Sequence, residues 1–236
     1  MRPPPAYRVD AARDERGGLP AWLRPTQVEN RFAAGVAILA AVALQLLLPD
    51  EFHLSPRWLL PAAELLLLGL VVVLDPARHT RWTRQVRYAS LLLAAFVTAD
   101  NAVSAALLDY DLVNGKTGHD PVTLLASAAG IYLTNIIAFG LWYWEFDRGG
   151  PVARAAATRS HPDFLFPQMA TPEIAHSDWE PTFIDYLYVS FTNATAFSPT
   201  DTMPLSRWAK TLMAVQSAVA LSTLALVIAR AVNILP

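Results

Sequence analysis

The chain contains no cysteine, which removes disulfide frameworks, thiolate nucleophiles and cysteine-ligated metals from consideration. Only 16% of its 236 residues are charged, and no nucleic-acid partner is expected. Lysine is confined to Lys116 and Lys210, so arginine supplies nearly all the positive charge. Glycine is absent between Phe183 and Pro236, and Gly17-Gly18 and Gly149-Gly150 lack the spacing of a phosphate-cradling loop. The five histidines, His53, His79, His119, His161 and His176, show no His-x-x-x-His pair. No metal site, no cofactor and no enzymatic activity are expected from this inventory.

What is present is apolar. Hydrophobic residues make up 54% of the chain, gathered into blocks separated by Pro, Arg and Asp, the pattern of a multi-pass membrane protein and not of a globular core. Phe32 to Leu48, Trp58 to Leu74, Tyr88 to Leu108, Val122 to Trp144 and Leu205 to Leu235 are the five runs. Each supplies about 17 residues or more, enough to approach or cross roughly 30 Å of hydrocarbon. The fold class expected is therefore all-α, a polytopic transmembrane helix bundle of five full spans plus one short membrane helix. The first run is followed by Pro49-Asp50-Glu51 with no small-x-small cleavage site, so it reads as a retained span and not a signal peptide.

Four regions follow. Residues 1–30 are polar and Pro-rich and read as a flexible tail; residues 31–145 hold four transmembrane helices; residues 146–181, with five prolines, read as an irregular linker; residues 182–236 hold the short helix and the last span. The seven tryptophans, at 22, 58, 82, 142, 144, 179 and 208, fall at or just outside the ends of the runs, where amphipathic rings favour the headgroup level. Arginines sit in the tail (Arg13, Arg16, Arg24, Arg31), in the loop before the third run (Arg78, Arg81, Arg84, Arg87) and after the fourth (Arg148, Arg154, Arg159). By the positive-inside bias these three regions are cytoplasmic, which gives a cell-membrane protein with a cytoplasmic amino terminus.

Thr182 to Phe197 is the ambiguous element. As a helix it reaches only about 24 Å at about 1.5 Å per residue, so it either crosses a thinned bilayer or dips in and returns. A crossing is expected, because it leaves Arg230 inside and Asp201 outside. Thr182 with Asp185 forms a capping-box start in which Asp replaces the usual Glu. Ser190, Thr192, Asn193 and Thr195 must face protein or water, because lipid cannot satisfy them.

Thr195 to Pro204, with Thr-rich tip, Asp201 and Pro204, followed by a long apolar run, resembles the pore-helix, filter and inner-helix segment of potassium channels. The resemblance covers the last quarter of the chain and departs from that family at the filter, where the glycines are missing and Pro199 intrudes. Carbonyl rings of that kind need backbone conformations that glycine permits. Tyr188, Ser190, Phe191, Thr192, Asp201 and Thr202 are also similar to a segment of uncharacterised bacterial multi-pass membrane families, which implies a fold and no activity.

Polar side chains inside the spans are the functional candidates. Asp100 and Asn101 lie in the middle of the third run, where an ionisable group is costly, and Ser104 shares their side of the helix. Glu64 lies two turns into the second run, where snorkelling or pairing also accounts for it. Thr134-Asn135 stands in a small-residue stripe that suits close helix packing. Gln216, Thr223 and Arg230 recur every seven residues on the last run. The candidate polar pathway or binding set is Asp100, Asn101, Ser104, Asn135, Thr192, Asn193, Thr195, Asp201, Gln216 and Thr223. Two classes of function fit it: a small ion channel or secondary transporter for ions or a small solute, or a non-transporting membrane scaffold or subunit. A homo-oligomer or a partner subunit is expected with either.

Overall fold

A computed structural model describes residues 19–53, 56–74, 83–114, 121–195 and 201–234. Among the described residues the fold is helical apart from one two-stranded ribbon. The long elements are α1 (Phe32–Leu47), α2 (Leu59–Leu74), α3 (Thr83–Val113), α4 (Pro121–Phe146) and α8 (Arg207–Ile234); the short ones are α5 (Pro151–Ala155), α6 (Pro167–Ala170) and α7 (Phe183–Ala194). Proline marks the first turn of α2, α4, α5 and α6, where its missing N–H is one of the unpaired donors anyway.

Among the described residues three helices are long and apolar enough to cross a membrane: Arg84–Val113, Val122–Ala155 and Arg207–Ala229. Helices α1 and α2 are helical where hydropathy expects them, but each is 16 residues, about 24 Å, short of a full hydrocarbon thickness. Length therefore marks three spans among the described residues. Helix α3 outruns its apolar stretch at both ends, because its polar turns at Thr83–Arg87 and Asp109–Val113 continue the same hydrogen-bonded ladder.

Helix α4 is the central post, packed by α1, α3, α7 and α8. Its contact with α7 is close: a Cβ on Gly140 would lie 3.2 Å from the Leu187 Cα. Aromatic side chains fill the end of the bundle where α4 finishes. Tyr143, Trp144, Phe164, Phe166, Phe183 and Tyr186 form one core there with Trp22.

That end is also where the regions expected to be loose are ordered. Residues 19–30 are packed: Trp22 is buried, and the Thr26 amide donates to the Ala155 carbonyl at 2.8 Å. The linker folds into α5, α6 and strand β1 (Phe164–Leu165), which pairs antiparallel with β2 (Met203–Pro204). This ribbon decides the path of α7. The α7 amino terminus is held by Glu29 and by the end of α4, and the chain is back beside Phe164 at Pro204. Both ends of the 183–204 segment thus lie at one end of the bundle, and α7 has only 12 residues, about 18 Å. A single crossing was expected here; instead both ends of the segment lie at the same end of the bundle. Non-local pairing of 164–165 with 203–204 reverses the chain, and local hydropathy carries no sign of it. The tip at 196–200 lies outside the described residues, as does the side chain of Arg230.

Candidate functional site

Polar side chains buried in the bundle fall into three groups that differ in how completely they are hydrogen-bonded. A buried polar atom that has partners holds a fold together, and one that has none is costly unless it serves another purpose.

The first group is a knot of charges at the aromatic end. Asp147 is fully buried and accepts from the Tyr186 hydroxyl at 2.5 Å and the Asp163 amide at 2.8 Å. Asp163 accepts in turn from the Arg148 amide at 2.9 Å and the Trp208 indole at 2.9 Å. Arg154 donates to the Trp144 carbonyl at 2.5 Å and lies over the Tyr186 ring at 4.9 Å. Arg31, at the start of α1, donates to Ser90 at 2.8 Å and pairs with Glu145 at 3.0 Å. Glu29 joins the Trp144 indole and the Phe183 amide, both at 2.7 Å. Burial raises the Glu29 carboxyl above its ordinary value, against the opposing pull of those two hydrogen bonds. The knot ties α1, α4, α7 and α8 together, with Arg148 Nε and one Arg154 Nη as buried nitrogens that lack a hydrogen-bond partner among the described residues.

The second group joins α4, α7 and α8. Gln216 is fully buried; its Oε1 accepts from Tyr143 at 2.6 Å and Asn193 at 2.8 Å, and its Nε2 donates to the Ser190 carbonyl at 2.9 Å and hydroxyl at 2.7 Å. Ser190 passes its own proton to the Ile136 carbonyl at 2.6 Å, and Asn193 also donates to the Met213 carbonyl at 2.9 Å. Two sequence candidates, Asn193 and Gln216, are thereby used as helix-to-helix bonds. Thr192 and Thr195 bond back to carbonyls of their own helix, at Tyr188 and Phe191, a local alternative open to hydroxyls in helices. Asp201 is exposed beside β2.

The third group is different. Asn135 on α4 is 1% exposed, yet neither end of its amide has a partner. Ser104 and Asn101 on α3 and Thr223 on α8 are also buried, with side-chain oxygens equally unpartnered. Their placement follows from a neighbouring apolar cluster, in which Ala105 and Leu108 of α3 pack with Ile131 of α4 and Val227 of α8. One helical turn is about four residues, and stepping each by one turn toward the knot gives Asn101, Ser104, Asn135 and Thr223. Four polar side chains therefore share one layer on the α3, α4 and α8 faces, without bonding one another.

Asp100 is next to Asn101 and one helical turn from Ser104 on α3. It is 1% exposed with one carboxylate oxygen unpartnered, and it lies within electrostatic reach of Glu64 and His53. Glu64 is fully buried and takes one bond, from the Gln45 amide at 3.2 Å, leaving its other oxygen and the Gln45 carbonyl unpartnered. His53 is buried with neither ring nitrogen bonded.

Five of the sequence candidates, Asp100, Asn101, Ser104, Asn135 and Thr223, thus meet around the middle of α3, and the other five do not. Sequence reasoning left out Gln45, His53 and Tyr143. Gln45 had a signal, as the sole polar side chain between Phe32 and Leu48; His53 read as loop. A Glu173-x-x-His176 spacing is also present, but both residues are exposed on the linker, and among the described residues no three His, Asp or Glu side chains gather as a metal site.

No known protein family, curated protein or solved structure matches this chain. The fold itself sets the class: an all-helical protein whose three long apolar helices suit an integral membrane protein.

Proposed function

We propose that this is a polytopic membrane protein that passes small cations or a small polar solute along α3, between Asp100 and the Asn101, Ser104, Asn135 and Thr223 layer. In this reading α1 to α4 and α8 all cross, with local thinning around the 16-residue helices, and α7 is re-entrant. The knotted, arginine-rich end faces the cytoplasm with the amino terminus, and the carboxyl terminus emerges on the other side.

The single observation that carries the reading is Asn135, a side chain buried to 1% exposure with an unpartnered donor and acceptor. Buried amides in native proteins nearly always find a partner, so this one is matched by water or a bound solute. Groups that exchange partners in this way are what a pathway needs; the Gln216 network is closed and offers none.

The test is flux in proteoliposomes holding the purified protein, with an imposed membrane potential and separate assays for protons, Na+ and K+. Wild type should show saturable flux of at least one of these, and Asp100→Asn and Asn135→Leu should abolish it. Flux unchanged in Asp100→Asn rules out the pathway. A complete lack of flux favours the second reading, a scaffold or subunit, for which the interlocked Asp147 and Asp163 knot is the supporting observation.

A further inference from the structure

A cavity of about 190 Å³ opens at the arginine-rich end, away from the polar layer, lined by Arg31, Arg87, Glu145, Gly150, Val152 and Thr158 among others. Its charge does not balance. Glu145 is taken by Arg31 at 3.0 Å, whereas Arg87, half-buried, forms no ion pair among the described residues.

The floor is shaped for an occupant. Gly150 has φ +95°, and a Cβ there would lie 3.1 Å from Arg87 Nη1 and 2.9 Å from the Glu145 carbonyl oxygen. A side chain would fill the cavity and push Arg87 aside. With glycine the guanidinium stays over the backbone with donors left for a ligand. Planar forked donors of this type match phosphate oxygens, and basic pockets between helices at a membrane face suit phospholipid headgroups.

We propose that this cavity binds a phosphate group, held by Arg87 and seated against Gly150. The site is independent of the transport reading, since it shares no residue with it. Two sources offer the same chemistry: the phosphodiester of an anionic lipid, and a soluble phosphate.

The experiment uses the full chain in detergent and in nanodiscs. In one arm, thermal stability is followed against inorganic phosphate at constant ionic strength, with chloride as the reference salt. In the other, retention of phosphatidylglycerol over phosphatidylcholine is measured by mass spectrometry of the purified protein. Arg87→Gln should weaken the response by about tenfold, the loss expected for a charge-assisted pair, and Thr158→Asp at the exposed rim should weaken it similarly. Arg84→Gln, an exposed arginine on the same helix outside the cavity, removes the same charge and should change nothing. A response to inorganic phosphate assigns a soluble ligand, and a response confined to phosphatidylglycerol assigns a headgroup. Equal losses in Arg84→Gln and Arg87→Gln, or none in either, overturn the site.

Discussion

Asn135 and Gln216 are buried amides in neighbouring helices, and replacing each with an apolar side chain of similar shape separates their roles. In Gln216→Met four hydrogen bonds disappear. Their former partners do not suffer equally. Tyr143 loses the acceptor of its hydroxyl proton while fully buried, whereas Ser190 keeps Ile136 and Asn193 keeps Met213. An orphaned buried hydroxyl costs about 1 to 3 kcal/mol, and each of the other interhelical bonds about 0.6 kcal/mol in a membrane protein. The expected loss is roughly 3 to 5 kcal/mol, from the same two sources. Asn135→Leu removes no bond within the protein, because Asn135 makes none, and relieves an amide that has no protein partner. Its stability should stay within about 1 kcal/mol of wild type or rise. Unfolding by SDS from mixed micelles, followed by far-ultraviolet circular dichroism, measures both. A Gln216→Met loss under about 1 kcal/mol, or an Asn135→Leu loss equal to it, refutes the division into a closed network and an open layer.

The other expectations concern the knotted end and the α4–α7 seam. Tyr186→Phe should lower stability by about 1.5 to 3 kcal/mol, the range for a bond to a charged group, and combine non-additively with Asp147→Asn in the same unfolding assay; simple additivity would count against a shared knot. Gly140→Val, which forces a side chain toward the Leu187 backbone, should cost roughly 1 to 3 kcal/mol and speed amide exchange across residues 183–194, and protection unchanged there contradicts the close seam. Burial raises the Glu29 carboxyl above its ordinary 4.5, so the folded chain holds this proton more tightly than the unfolded one. That contribution is complete below pH 4.5 and is lost as pH climbs through the raised folded value. Glu29→Gln should therefore flatten the fall in melting temperature above pH 4.5, and parallel profiles for the two proteins would show that Glu29 is not its source.

Hydropathy located the helices because lipid and a helix impose a one-dimensional rule: a run of apolar residues of sufficient length. Phe32–Leu47 and Leu59–Leu74 begin and end within a residue of the expected runs. The Thr182 and Asp185 cap was equally legible, since a capping box is local; the Asp185 carboxylate accepts from the Thr182 amide at 2.8 Å and hydroxyl at 2.9 Å. The path of α7 was not legible, because it depends on β1 meeting β2 and on Asp163 receiving Leu205 and Trp208. The site was half legible for a related reason. Asn135 and Asn193 look alike in sequence, as amides in apolar helices, and differ only in what the neighbouring helices present to them. Asn193 meets Gln216; Asn135 meets nothing that bonds it. Partnering is a tertiary property, so depth in the membrane singled out Asp100 and Asn101 but could not rank Asn135 above Asn193.

The absence of cysteine gives a clean background for the decisive measurement. Single cysteines placed at Ser104, Thr223 and Ser190 are exposed, in membranes, to a small charged thiol reagent that cannot enter hydrocarbon. All three positions are buried, so burial alone does not distinguish them. If the α3, α4 and α8 layer is a wet pathway, Ser104→Cys and Thr223→Cys react while Ser190→Cys, inside the closed Gln216 network, stays protected. Reaction at Ser104 and Thr223 no faster than at Ser190 would contradict the pathway and leave the layer as packing.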